Sequence, residues 1–256
     1  MRTVEEIEGL RVERDTLALV WLGGAGFAFK SASGIVVYVD PYLTDCARDI
    51  GLPRVAAYVV RPEEVRCDLL VTTHHHVDHF DPLAVPVLAS RNPECICAGP
   101  PSCAQRYQSC GVANERIWTL SPGDRREIGD IAVLAVPADH GALAPDAIGV
   151  IFDFGGITVY HMGDTCLHPD ALESIAPRGL DILIPPINGY KGNLNPREAA
   201  MATAILKPRM VIPSHFWLFV QGAGDPLQFM EACAELAPSS EAVPLTQGVP
   251  LLYVRE

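Results

Sequence analysis

Basic side chains are scarce in this sequence. Lysine and arginine number 19 against 31 aspartates and glutamates, for a formal charge of −12 over 256 residues. A broad nucleic-acid contact needs clustered Lys and Arg, so the balance argues against that partner and leaves room for a small anionic substrate held by a few local groups. No apolar run approaches the length of a membrane span, which argues against a membrane partner. The stretch 1–14 is charged and lacks the apolar core of a signal peptide. The eight cysteines (Cys46, Cys67, Cys95, Cys97, Cys103, Cys110, Cys166 and Cys233) contain no CxxC pair and no disulfide-framework spacing. These absences together point to a reducing cytoplasm, with most cysteines serving as small core residues. No Ser/Gly-rich linker or charge block divides the chain, so one domain over 1–256 is expected, and 49% hydrophobic residues exclude wholesale disorder.

What is present is a strand-rich pattern in two batches. Apolar runs at 17–22, 27–30 and 35–39, separated by Gly-rich turns, read as an antiparallel meander. Short strands follow at 68–71, 95–98 and 117–120, with helices at 84–90 and 101–110. A second batch comprises a strand at 131–136, a hairpin of 148–154 with 157–162, strands at 181–184 and 210–212, a helix from Asn195 as cap to Leu206, a helix at 226–236 and a closing strand at 251–254. A meander followed by helices, twice over, suggests two similar halves. The segment 44–60 is irregular and reads either as a flap over a site or as a long surface loop.

The most informative stretch is Thr72-Thr73-His74-His75-His76-Val77-Asp78-His79-Phe80-Asp81, directly after the apolar run that ends at Val71. Imidazoles and a carboxylate crowded at a strand end are costly unless something binds them, and neutral imidazole and carboxylate are the usual ligands of zinc and similar ions. The spacing His74-x-His76-x-Asp78-His79 can serve two neighbouring ions. His75 should point away from His74 and His76. Three further residues of metal-binding type lie just past strands: His140, Asp164 and His215. Strand ends along one edge of a sheet pair converge, so residues distant in sequence can build one site. Asp40, also at a strand end, either supports a ligating His or caps the next turn. His161 lies three residues before Asp164, on the opposite face of the strand, and is expected to be buried or to support the ligands. Asn188, Lys191 and Asn193 sit on a loop after a strand and can grip an anionic substrate, or simply form the entry to the helix that Asn195 caps. Trp217 either walls the cleft or packs in the core. His168 can donate a proton but is placed by default at the surface.

With these residues in hand, the sequence resembles the metallo-β-lactamase fold superfamily over most of its length. Within it the sequence is most similar to the L-ascorbate-6-phosphate lactonase-like branch, through Trp21-Leu22-Gly23 with Gly26, the His74–His79 motif, Pro137-Ala138-Asp139, Tyr160-His161-x-Gly163-Asp164 and Val211-Ile212-Pro213. The resemblance implies an α/β fold, an αββα sandwich of two mixed sheets flanked by helices. It implies that His74, His76 and His140 hold one ion, that Asp78, His79 and His215 hold the other, and that Asp164 bridges them. The ions would be zinc, with manganese or iron able to use the same ligands. One departure stands out: His140 follows Pro-Ala-Asp, where the lactonase has Gln. The expected activity is hydrolysis of a small ester or lactone, in the manner of a sugar-phosphate lactonase, by a hydroxide bridging two divalent ions, with Asp78 as ligand and orienting group. A phosphodiesterase is the alternative with the same chemistry, and a non-catalytic metal-binding protein is the alternative without it. The partner is a small-molecule substrate; homo-oligomerisation is left open.

Overall fold

Side chains along the first strands alternate between two cores. Leu17, Leu19, Trp21, Phe27, Phe29, Val37, Val39, Leu69 and Val71 enter one, while Val20, Leu22, Ala28, Val36, Tyr38 and Leu70 enter another. A strand whose two faces are both apolar is buried on both sides, so this sheet must be a middle layer. The structure, a computed structural model, describes residues 7, 9–175 and 179–255; residues 1–6 and 8 of the charged N-terminal stretch lie outside the described residues.

Two seven-stranded sheets result. The first runs, in spatial order, β14 (Leu251–Val254), β1 (Thr16–Gly23), β2 (Gly26–Lys30), β3 (Val36–Val39), β4 (Leu69–Val71), β5 (Ile96–Gly99) and β6 (Ile117–Thr119). The second runs β13 (Glu241–Ala242), β12 (Met210–Val211), β11 (Ile182–Ile184), β10 (Ile157–His161), β9 (Ile148–Phe154), β8 (Ile131–Pro137) and β7 (Arg125–Ile128). Both sheets are mixed, since β3 to β6 and β10 to β13 pair in parallel and the rest antiparallel. The faces that meet are filled largely by aromatic and branched residues; Phe29 lies 6.0 Å from Phe152 and 5.5 Å from Phe154 across the interface. Helices α1 (Ala84–Arg91) and α2 (Pro101–Ser109) cover the outside of the first sheet through Ala84, Val85, Leu88, Cys103 and Tyr107. The short helix α3 (Pro169–Ile175) and the longer α4 (Pro196–Leu206) and α5 (Pro226–Leu236) contribute Leu172, Ala199, Ala202 and Phe229 to the core on the other side. The expected αββα sandwich is the observed one.

Three elements differ from the sequence reading. β7, Arg-Arg-Glu-Ile, carries no apolar run because it is an exposed edge strand, where charges guard against further pairing. β13 and α3 are too short to leave a period. The two halves are also less separate than their order suggests: β14 returns from the end of the chain to pair with β1 at the edge of the first sheet. The halves are thereby interlocked.

Parallel pairing positions the site. β3 and β4 end side by side, and β8, β10, β11 and β12 all point the same way in the second sheet. Their carboxyl ends deliver Asp40, the 72–81 loop, His140, Asp164, Asn188 and His215 to one rim, where open α/β sheets bind ligands.

Candidate metal centre

The rim is fastened across the two sheets by main-chain bonds. The Ile148 amide donates to Thr73 O (3.0 Å) and the His215 amide to Gly24 O (2.7 Å). Gly163 has φ +63° and lies so close to Thr73 that a Cβ would meet its side chain at 3.0 Å. Only glycine permits that approach, and the approach brings Asp164 to the histidine loop.

Seven donors converge there as expected. His74, His76, His140 and Asp164 place one donor atom each within 4.8 Å of one another, and so do Asp78, His79 and His215. Asp164 belongs to both groups in space: its Oδ1 lies 3.3 Å from His79 Nε2 and 3.2 Å from His215 Nε2, and its Oδ2 lies 3.6 Å from His140 Nε2. Asp78 Oδ2 is 3.4 Å from His215 Nε2. His74 and His79 are fully buried. Asp40, buried beneath them, accepts from Thr73 N (2.7 Å), Thr73 Oγ1 (2.7 Å) and His79 Nδ1 (2.8 Å). It therefore orients His79 rather than merely capping a turn. Asp40 and His215 adopt left-handed backbone at φ +45° and +56°, unusual for residues with a Cβ and frequent where a side chain must be aimed.

The donor set fits a divalent cation. His74 Nε2 and His76 Nδ1 face each other at 2.9 Å, and His79 Nε2 faces His215 Nε2 at 3.1 Å. With Nδ1–H of His79 committed to Asp40, Nε2 is the nitrogen left to ligate, and a cation would replace the proton there. Burial pushes His74 well below its ordinary range; burial, then the charge at His79, brings His76 to about 4; burial lowers His140 as well. The shift favours the neutral, ligating form of these three rings. Burial opposes charge on His79 and His215 too, but Asp164 first, with Asp78 and for His79 also Asp40, outweighs it and draws both upward. The carboxylates thus pull positive charge into the centre. Asp164 Oδ1 is buried without a hydrogen-bond partner, and so is His140 Nδ1. An orphaned carboxylate oxygen between imidazole nitrogens is what a cation would satisfy.

The centre forms the floor of a cavity of about 250 Å³. Ile50, Leu52, Val77 and Phe219 give it an apolar wall, while Arg106, Lys191, Asn188 and Asn193 supply polar groups. Asn188 Nδ2 is 3.0 Å from His215 Nδ1; with the amide turned by half a rotation its now unpartnered Oδ1 would accept from that ring instead. Asn193 is buried with its Oδ1 unpartnered, and Lys191 (φ +50°) lies exposed over the Tyr190 ring at 5.5 Å. Asn195 caps α4 by accepting from Arg197 and Glu198 amides, so the loop is both cavity lining and helix entry.

Segment 44–60 is a wall held at many points. Asp81, buried, accepts from the amides of Leu43 and Thr44 on one side and of Leu83 and Ala84 on the other. The guanidinium of Arg54 donates to Tyr42, Ala56 and Ala57 carbonyls.

Other candidates fall differently. His161 is buried; Nε2 donates to Ala25 O (2.9 Å) and Nδ1 accepts from the Gly163 amide (3.2 Å), so it steadies the turn before Asp164 and touches none of the seven donors by hydrogen bond. His75 lines the cavity, its ring 5.2 Å from that of His76, but it joins neither donor group. Trp217 neither walls this cavity nor enters the core; at 54% exposure it lines a separate groove with Trp21 and Val55. Arg106, Ile50 and Phe219 also line the cavity, and nothing in the sequence marks them. Arg106 is one polar position among several on an amphipathic helix, and no local signal separates it from its neighbours.

The model of the beta-lactamase superfamily domain matches residues 18–215. A UPF0173 metal-dependent hydrolase of Archaeoglobus fulgidus is 30% identical over 243 residues, spanning 91% of this chain and 97% of that protein. One from Pelotomaculum thermopropionicum is 30% identical over 245 residues, spanning 91% and 98%. Among solved structures, Igni18, described as a novel metallo hydrolase from Ignicoccus hospitalis, superposes with a TM-score of 0.77 at 22% identity over 94% of this chain and all of the other. An isothiocyanate hydrolase from Delia radicum gut bacteria gives 0.74 at 18% identity, covering 93% and 99%. At these identities the structural likeness is one of fold.

Proposed function

The chain belongs to the beta-lactamase superfamily and within it to the UPF0173 metal-dependent hydrolases, and from that membership we propose that it hydrolyses a small ester or lactone bearing an acidic group, using two divalent cations. The observation that carries this reading is the placement of two donor groups, joined by Asp164, at the floor of a cavity with an apolar wall and a cationic rim. His74, His76 and His140 would hold one ion and Asp78, His79 and His215 the other, with Asp164 between them; the nitrogen-rich set suits zinc. Cations in such a cage lower the pKa of water and polarise a carbonyl or phosphoryl oxygen.

The chain's own residues do the rest. Asp40 fixes the His79 ring through Nδ1. Asp78 reaches His215 with one oxygen, and it serves as the group that orients the attacking water. Ile50, Leu52, Val77 and Phe219 exclude bulk water and pack the apolar part of a substrate. Arg106 carries no salt bridge or side-chain hydrogen bond among the described residues beyond its place over the Phe80 ring, so it and Lys191 can receive the acidic group. A phosphorylated sugar lactone meets these requirements. A small phosphodiester could use the same rim.

Metal content measured together with turnover on sugar-phosphate lactones, acyl-homoserine lactones and bis(p-nitrophenyl) phosphate tests this. Two ions per chain with lactone turnover is the expected result. Two ions with phosphodiester turnover alone would transfer the site to the second substrate class. Failure to bind metal after reconstitution would sink both.

A further inference from the structure

Outside the cavity, behind the loops that carry His140 and Asp164, a second kind of donor cluster occurs. Asp139, Cys166 and His168 place a carboxylate oxygen, a thiol sulfur and an imidazole nitrogen within 4.8 Å of one another. His168 Nε2 lies 2.6 Å from Asp139 Oδ2 and 3.2 Å from Cys166 Sγ. We propose that these three residues form a further binding site for a soft divalent ion of the zinc type, distinct from the centre in the cavity.

The geometry excludes the obvious rival, a cysteine nucleophile with its base. In such a relay the imidazole takes the thiol proton on one nitrogen and is oriented through the other. Here thiol and carboxylate both address Nε2. Three different donors converging on one point is instead the arrangement of a ligand set, and sulfur with nitrogen selects zinc or cadmium over magnesium or calcium. The donors are held in place before any ion arrives. The Cys166 amide donates to Asp139 O (2.9 Å), the Asp139 amide to Thr165 Oγ1 (3.0 Å), and the Gly141 amide to Asp139 Oδ1 (2.9 Å), which leaves Oδ2 for the cluster. Asp139 and His168 are each about half exposed, so an ion has a path in and a solvent position for its fourth ligand. On binding, the thiol proton leaves to solvent and sulfur ligates as thiolate. The ion would tie residue 139 to residue 166, bracing the two turns that present His140 and Asp164. Nothing in this site draws on the donors of the cavity.

Cobalt(II) is the probe. Protein and the variants Cys166→Ser and His168→Ala are dialysed against cobalt, and bound ions per chain and the near-ultraviolet thiolate-to-metal absorption are recorded. Wild type is expected to hold one ion more than either variant and to show the band, and both are lost in Cys166→Ser. Equal stoichiometry in all three, or a band that survives Cys166→Ser, overturns the proposal. Because the readout is the difference of one ion, it stands whatever number the cavity binds. Both substitutions fall on partly exposed side chains, and circular dichroism confirms that the variants fold.

Discussion

Replacing Asp40 by Asn separates the role of positioning a ligand from that of being one. The carboxylate accepts three hydrogen bonds, from Thr73 N, Thr73 Oγ1 and His79 Nδ1, in a site with no solvent exposure. Asn keeps the volume and tolerates the left-handed φ of +45° better than most residues. It has only one acceptor atom, however, and its amide must face a donor with a donor. One buried N–H or O–H is then unpaired, at a cost of about 1–3 kcal/mol. That is a sizeable fraction of a native stability of about 5–15 kcal/mol, and denaturant unfolding should show it as a lowered midpoint with unchanged slope. If the His79 ring is the group released, its Nε2 no longer points at Asp164 and His215, and metal affinity should fall by about 10–100-fold, the usual cost of losing a partner that orients a ligand. Competition against a chromophoric chelator measures this directly. A variant that loses stability yet binds metal as tightly as wild type would refute the orienting role and reduce Asp40 to a fold residue.

Further consequences follow from single contacts. Asp81→Ala strips the acceptor from four buried or half-buried amides and should cost about 3–5 kcal/mol, read as a lowered denaturant midpoint. In Gly99→Ala the new Cβ would meet Thr72 O at 2.7 Å and Cys103 Cβ at 2.9 Å, so a loss of about 1–3 kcal/mol is expected by thermal unfolding even though Ala is the smaller intrusion possible. Arg106→Ala should raise KM about tenfold for substrates carrying an acidic group and leave neutral esters unaffected; an equal effect on both would remove Arg106 from substrate recognition. Treatment with a chelator should lower the melting temperature, because Asp78 and Asp164 remain in the centre without the charge that ligands of this kind require; an unchanged melting temperature would argue against bound metal.

The fold was readable in proportion to burial. β1 to β4 and the β9–β10 hairpin carry dense branched and aromatic residues because both faces are covered, and their runs mark them clearly. β7 and β13 lie at an edge, bury little and leave no such trace. The centre was readable because its chemistry forces rare residue types onto strand ends: each of the seven expected donors arrives in one of the two groups. What encloses the centre was not. Ile50 and Phe219 line the cavity with the same apolar chemistry that fills the cores, and only the tertiary course of segments 44–60 and 216–224 distinguishes them.

The same motif that supplies ligands also builds the wall. Asp81 ends the histidine loop, and its carboxylate joins the start of α1 to residues 43–44, from which the chain runs directly into the short helix Cys46–Ile50. Val55 then returns a main-chain bond to Leu218, beside Phe219, which packs in the same cluster as Tyr42, Ala47 and Leu52, and Arg54 ties the carbonyls of Tyr42 and Ala57. Ligand loop and wall are therefore one hydrogen-bonded unit, joined at Asp81. Substrate range can diverge through Ile50, Leu52 and Phe219, whose side chains face the cavity and carry none of these bonds, while Asp81 and Arg54 constrain both wall and centre at once. On the proposed function, specificity would be set by side chains hung on a frame that the histidine loop itself holds in place.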